Sequence, residues 1–263
     1  MQGGEIQQLW ESLKKTAYRP LIDNGNCHPS FSVHSKYNGY PYLRNKDDWP
    51  CCSCCGKVMP LVFQLNLSEI PVVWKENALV QYFECITRNA AGSTCEPGYP
   101  KNNSSMLRKV EIDTPTVQVP VDFNYWLGVQ DSFSKIILKR ISQEHSIVGW
   151  QPFDDYPSLV DFNEKMDYLN TTIGEEALDF LWENLEVLEE MEHKQCSPED
   201  KLLGYPCWSQ AEGYPRERDG EMELFFQING LVTSNKSAIA FRDGERGMFF
   251  QNRDSGDMVF TTW

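Results

Sequence analysis

Hydrophobic positions change their spacing several times along the chain, and each change marks a predicted element. Near the start, Ile6, Leu9, Trp10, Leu13 and Ala17 recur at the three-to-four-residue interval of an amphipathic helix, which predicts a helix over Glu5–Tyr18 closed by Pro20. A loop rich in Asn, Gly, Pro and Ser follows, from Asn24 to Ser30. The runs Leu61–Leu67 and Ala78–Cys85 are short, rich in large apolar residues and bounded by Pro, Asn or charged residues, which predicts strands. Val110–Val121 alternates Val, Ile and Thr around Pro115 and Pro120. Proline has no N–H for a ladder, so this stretch is predicted as an edge strand or an extended connector. Helical spacing returns over Asp131–Gln143, Pro157–Leu169 and Gly174–Lys194, the last with Ala177, Leu178, Leu181, Leu185 and Leu188 as its apolar stripe.

A second patterned block then repeats the order of the first. The first reads Gly39-Tyr40-Pro41, Met59, Phe63-Gln64-Leu65-Asn66 and Tyr82-Phe83; the second reads Gly204-Tyr205-Pro206, Met222, Phe226-Gln227-Ile228-Asn229 and Phe249-Phe250. The Met-to-Gln spacing is the same in both. The expected fold class is therefore α+β: a duplicated β-rich unit, two pseudo-repeats packed together, with an N-terminal helix and an acidic helical insert between the repeats. The boundaries that follow are a helix and leader at 1–34, a first repeat at 35–130, an insert at 131–200 and a second repeat at 201–263, within one two-lobed domain. Gln64 and Gln227 sit among apolar residues, and a buried amide must be satisfied, so they are expected to bond backbone groups rather than a ligand.

Charge changes the picture in one segment. The chain of 263 residues carries a formal net charge of −14, which argues against nucleic acid as a partner because a phosphate backbone needs neutralising cations. Between Phe153 and Asp200 there are 15 Asp and Glu against two Lys, so a basic protein is the expected partner, drawn by opposite charge. No apolar run reaches the ~18 residues of a membrane span and Met1–Lys15 lacks the apolar core of a signal peptide, so the expected location is the cytoplasm, without a membrane partner.

Nine cysteines, four of them at Cys51, Cys52, Cys54 and Cys55, fit a reducing compartment and metal binding better than a disulfide framework. Cys52 and Cys55 frame a C-x2-C followed by Gly56 and Lys57, a knuckle that turns both sulfurs to one side. Cys85 ends a predicted strand and Cys95 lies ten positions on. Cys52, Cys55, Cys85 and Cys95 are thus the expected ligands of a structural zinc ion. A site of four thiolates is saturated and leaves no position for a reactive water. The competing readings are buried free thiols, redox-active thiols, and a shifted register using Cys51 and Cys54. Cys27, Cys196 and Cys207 read as isolated thiols.

The strings Ser35-Lys36-Tyr37-Asn38-Gly39-Tyr40-Pro41, Trp49-Pro50, Cys52 to Met59 and Phe63 to Leu67 resemble the YwqG-like family. So do Leu79 to Cys85, Lys201 to Pro206, Phe226-Gln227-Ile228 and Gly244 to Phe250. The resemblance implies a duplicated β-rich fold. It also implies a distant similarity to the programmed-cell-death-protein-two group, dedicated chaperones of a ribosomal protein, and hence a partner-binding role. Some members are encoded near polymorphic toxins, which implies immunity functions for those. Motifs for a serine nucleophile, a zinc hydrolase, a phosphate loop or a dinucleotide are absent. The expected function is a zinc-stabilised, non-enzymatic protein-binding protein, chaperone-like or adaptor in action. The alternatives are an immunity protein neutralising a cognate toxin, and a small-molecule binder or enzyme with a cleft between the repeats.

Overall fold

The computed structural model describes residues 2–23, 32–45, 48–71, 76–85, 104–112, 143–158, 169, 172–184, 186–187, 196–208, 222–229, 246–252 and 255–262. Among these the protein is mostly β. It has ten strands, antiparallel in every pairing with a described register, and two short helices. This overturns the α+β expectation with its helical insert. The segment read as an insert carries the longest strand, β6 (His145–Asp155), and one short helix, α2 (Glu175–Glu183). Most of Asp131–Gln143 and Pro157–Leu169 lies outside the described residues.

The chain divides into two compact units, and it passes between them within β1 (Lys15–Ile22) and again within β6. Unit 2 spans Leu21–Trp150 and Gly230–Asp243. Its strands are β2 (Lys36–Tyr37), β3 (Leu61–Asn66), β4 (Ala78–Glu84) and β5 (Ser105–Glu111), in the order β6-β2-β3-β4-β5. Every residue of β3 and β4 is buried, which explains why both read as continuous apolar runs rather than as alternating patterns.

Unit 1 spans Met1–Pro20, Gln151–Asn229 and Gly244–Trp263. Its strands run β1-β7-β8-β9-β10, with β7 (Lys201–Leu202), β8 (Met222–Asn229), β9 (Arg246–Asn252) and β10 (Met258–Thr262). Helix α1 (Gln2–Ser12) buries Ile6 and Trp10 beside Leu13, Tyr156, Leu169, Leu178 and Leu181, with Trp10 stacked on Tyr156 at 6.0 Å. The predicted helix over Glu5–Tyr18 is therefore too long. It stops at Ser12, and Lys15 onwards forms β1, where Tyr18 pairs with Leu202 and Ala17 is buried on the strand.

The two units share a local bonding pattern. In unit 2, Lys36 pairs in register with Gln64, and its ammonium reaches Glu144 Oε2 at 2.9 Å with both side chains buried. Gln64 donates to the carbonyls of Ser32 and His34 and accepts from the Tyr42 N–H. In unit 1, Lys201 pairs with Gln227 and reaches Asp155 Oδ2 at 2.7 Å, again fully buried. Gln227 donates to the carbonyls of Ser197 and Glu199 and accepts from the Cys207 N–H. Both amides thus bond backbone groups, as their apolar flanks imply.

The glycine of each Gly-Tyr-Pro string is required by this pattern. Gly39 and Gly204 have φ of +73° and +80°, and a Cβ would lie 2.6 Å from Glu144 Oε2 and 2.2 Å from Asp155 Oδ2, respectively. A side chain there would displace the carboxylate that neutralises a buried lysine.

Candidate metal centre

The knuckle lies in unit 2, immediately before β3. Cys51 and Val58 form an antiparallel bridge, the Cys52 N–H donates to the Lys57 carbonyl at 2.8 Å, and the Gly56 N–H donates to the Cys52 carbonyl at 2.7 Å. Gly56 has φ of +69°, the left-handed conformation this reversal needs. The base is anchored by Met59 N–H to the Pro50 carbonyl at 2.8 Å and by the Trp49 indole N–H to the Met59 carbonyl at 2.8 Å.

The sheet register delivers the third thiol. Leu61 pairs with Phe83, and Glu84 N–H donates to the Pro60 carbonyl at 3.2 Å, so the end of β4 runs beside the knuckle exit. Cys85 follows at once, its N–H donating to the Ser104 carbonyl at 2.8 Å. The sulfurs of Cys52, Cys55 and Cys85 lie within 4.8 Å of one another, and Cys55 Sγ is 3.6 Å from Cys85 Sγ. Tetrahedral zinc with bonds of about 2.3 Å spaces its sulfurs about 3.8 Å apart, so this group has the dimensions and the soft donors of a thiolate metal site.

Three of the four expected cysteines thus come together, and Cys95 lies outside the described residues. Cys51 and Cys54 are exposed and stand outside the group. None of the seven described cysteines is in a disulfide. His34 bonds Glu69 Oε1 at 2.7 Å through Nδ1, and His28 lies outside the described residues.

Glu84, beside Cys85, was missed by the sequence reading. Burial pushes its carboxyl up to about 8, against the smaller opposing effect of the Tyr82 hydroxyl, which donates to it at 3.3 Å. A neutral carboxyl adds no negative charge beside the thiolates.

Two tryptophans, Trp49 and Trp208, are buried in packing contacts. Trp49 is buried over the knuckle with Tyr40 edge-on at 6.4 Å, and Trp208 stacks on Phe250 at 5.8 Å. Trp126 lies outside the described residues. No described helix is long and apolar enough to cross a membrane.

Among its described residues the protein is mostly β, with a largely buried cysteine group at the ends of two inner strands, β3 and β4. Residues 35–261 match the model of the family described as a domain of unknown function, DUF1963, and the chain belongs to that family. No curated protein matches the chain.

Proposed function

We propose that the protein is a non-enzymatic protein-binding module, chaperone-like or adaptor in action, in which Cys52, Cys55, Cys85 and Cys95 hold a structural zinc ion. The YwqG-like resemblance quoted above supports a partner-binding role. When bound, the metal would cross-link the knuckle to the end of β4 and supply folding energy rather than a reactive site.

One observation carries the binding reading: α2 turns Glu175, Glu176, Asp179 and Glu183 to solvent and leaves Trp182 44% exposed beside them. An exposed tryptophan framed by acids suits a basic surface that offers an apolar pocket, because aromatic anchors at interface centres carry much of the binding energy. The acids would steer the encounter and Trp182 would slow the release.

The test is co-purification from the native host, followed by titration of the recovered partner. A basic partner is expected, with affinity falling severalfold as ionic strength rises from about 0.1 M to about 1 M and the screening length drops from about 10 Å to about 3 Å. Trp182→Ala is expected to weaken binding at least tenfold, and Glu175→Lys with Glu176→Lys to lower the association rate. An acidic partner, or an affinity indifferent to salt and to both changes, contradicts the proposal.

A further inference from the structure

Unit 1 brings together two thiols that the sequence separates by a turn. Cys196 precedes β7 and Cys207 follows the Gly204 turn, and two buried side chains tie the segments on which they lie. Asp155 accepts the Ser197 N–H on Oδ1 at 2.9 Å and the Tyr205 N–H on Oδ2 at 2.8 Å. Gln227 donates to the Ser197 carbonyl at 3.0 Å and accepts the Cys207 N–H at 2.8 Å. The backbone just after Cys196 and the backbone of Cys207 itself are therefore fixed by the same pair of residues.

As a result the Cys207 thiol donates to the Cys196 carbonyl at 3.7 Å, which sets the two cysteines side by side. Cys196 is buried and Cys207 is half-buried, so Cys207 is the more accessible of the two. Arg246 donates to the Cys207 carbonyl at 2.8 Å, which places a guanidinium beside the sulfur, and the Lys201 ammonium and the Asp155 carboxylate also act on it. The neighbouring Cys196 side chain, helped by Arg246 and Lys201, pulls the Cys207 thiol down to about 7 against burial and Asp155. The Cys207 side chain, with burial, pushes the Cys196 thiol up.

We propose that Cys196 and Cys207 are a preorganised redox dithiol, in which Cys207 reacts with hydrogen peroxide and Cys196 closes the product to a disulfide. In the first step the Cys207 thiolate attacks one peroxide oxygen. The S–O bond forms, the O–O bond breaks, sulfur loses two electrons, and hydroxide leaves to take up a proton as water. In the second step the Cys196 sulfur attacks the Cys207 sulfenic sulfur. The S–S bond forms, the S–O bond breaks, and the Cys196 proton leaves with the hydroxyl as a second water. Two thiols and one peroxide give one disulfide and two waters, and a dithiol reductant reverses the change.

This site is independent of the cysteine group in unit 2, and trypsin separates its members. Lys194, Lys201 and Arg216 bound the peptides Gln195–Lys201 and Leu202–Arg216, each with one of the two cysteines. The full chain is treated with equimolar hydrogen peroxide, its remaining thiols are blocked with N-ethylmaleimide, and the digest is mapped by mass spectrometry without reduction. The expected result is a linked pair of these two peptides, lost on treatment with dithiothreitol. Both peptides recovered with blocked thiols, or either linked to a different cysteine, overturns the proposal.

The Cys196→Ser variant separates the two steps. Its Cys207 is expected to stop at the sulfenic acid and to be labelled by dimedone, and absence of that label overturns the assignment of Cys207 as the attacking thiol. At pH 7 Cys207 carries roughly fiftyfold more thiolate than a thiol at 9.0. Its lower intrinsic nucleophilicity offsets this about eightfold, so its alkylation rate is expected to exceed that of an ordinary thiol by roughly sixfold.

Discussion

Replacing Asp155 with Asn removes the negative charge from a carboxylate that accepts Lys201 Nζ and two backbone N–H groups, with neither charged side chain exposed to solvent. The amide retains one acceptor oxygen, so the main loss is electrostatic: a lysine is left buried without its counter-charge. Breaking a buried pair by removing one partner costs about 3–5 kcal/mol. With a urea slope of about 2 kcal/mol per molar, that lowers the unfolding midpoint of unit 1 by about 2 M. The stacked Trp10–Tyr156 and Trp208–Phe250 pairs provide a fluorescence signal from this unit. Lys201→Met alone strands the carboxylate and is expected to cost as much. The double variant replaces the pair by groups without net charge and is expected to recover most of the loss, leaving a deficit of about 1 kcal/mol. A single variant whose midpoint moves by less than about 0.5 M, or a double variant whose losses add, would refute the claim that this ion pair acts as a coupled unit.

Further outcomes follow from the same contacts. Gly204→Ala is expected to destabilise unit 1 by more than 3 kcal/mol, since it combines a left-handed residue with a Cβ only 2.2 Å from the Asp155 carboxylate, measurable by the same urea series. Gly56→Ala should cost only about 1–2 kcal/mol, because its Cβ would meet nothing within 4 Å and only the positive φ is penalised. Gln227→Leu removes an amide that makes three backbone bonds, and a loss of about 2–4 kcal/mol is expected, with slower closure of the Cys196–Cys207 disulfide in peptide mapping. Trp10→Ala empties the site between α1 and α2 and should cost about 3–5 kcal/mol by thermal or urea unfolding.

Strands β3 and β4 were legible because both are buried on every residue, and a short apolar run bounded by Pro, Asn and charge has few other solutions. β6 was not, because Gly149, Pro152, Asp154 and Asp155 interrupt it and its burial does not alternate cleanly; pairing with its neighbours, rather than its own pattern, makes it a strand. The first helix was overextended for a related reason. Ala17 falls on the helical stripe of Ile6, Trp10 and Leu13, yet it is also an inward position of β1, and pairing of Tyr18 with Leu202 decides between them.

The cysteine group was readable because a C-x2-C with a following glycine and a cysteine ending an apolar run are both local signals. The pairing of Cys196 with Cys207 left no such signal, since Asp155 and Gln227, far away in sequence, create it. The buried lysines did leave one: Lys36 and Lys201 each stand three positions before the glycine of a Gly-Tyr-Pro string, a recurrence that marks a shared structural position.

Zinc content and thiol protection, measured together on protein purified without added metal or chelator, test the proposed metal site most directly. One zinc per chain is expected, with Cys52, Cys55, Cys85 and Cys95 resistant to alkylation until a chelator removes the metal and Cys51 and Cys54 labelled from the start. Substoichiometric metal with all four cysteines labelled at once would contradict it.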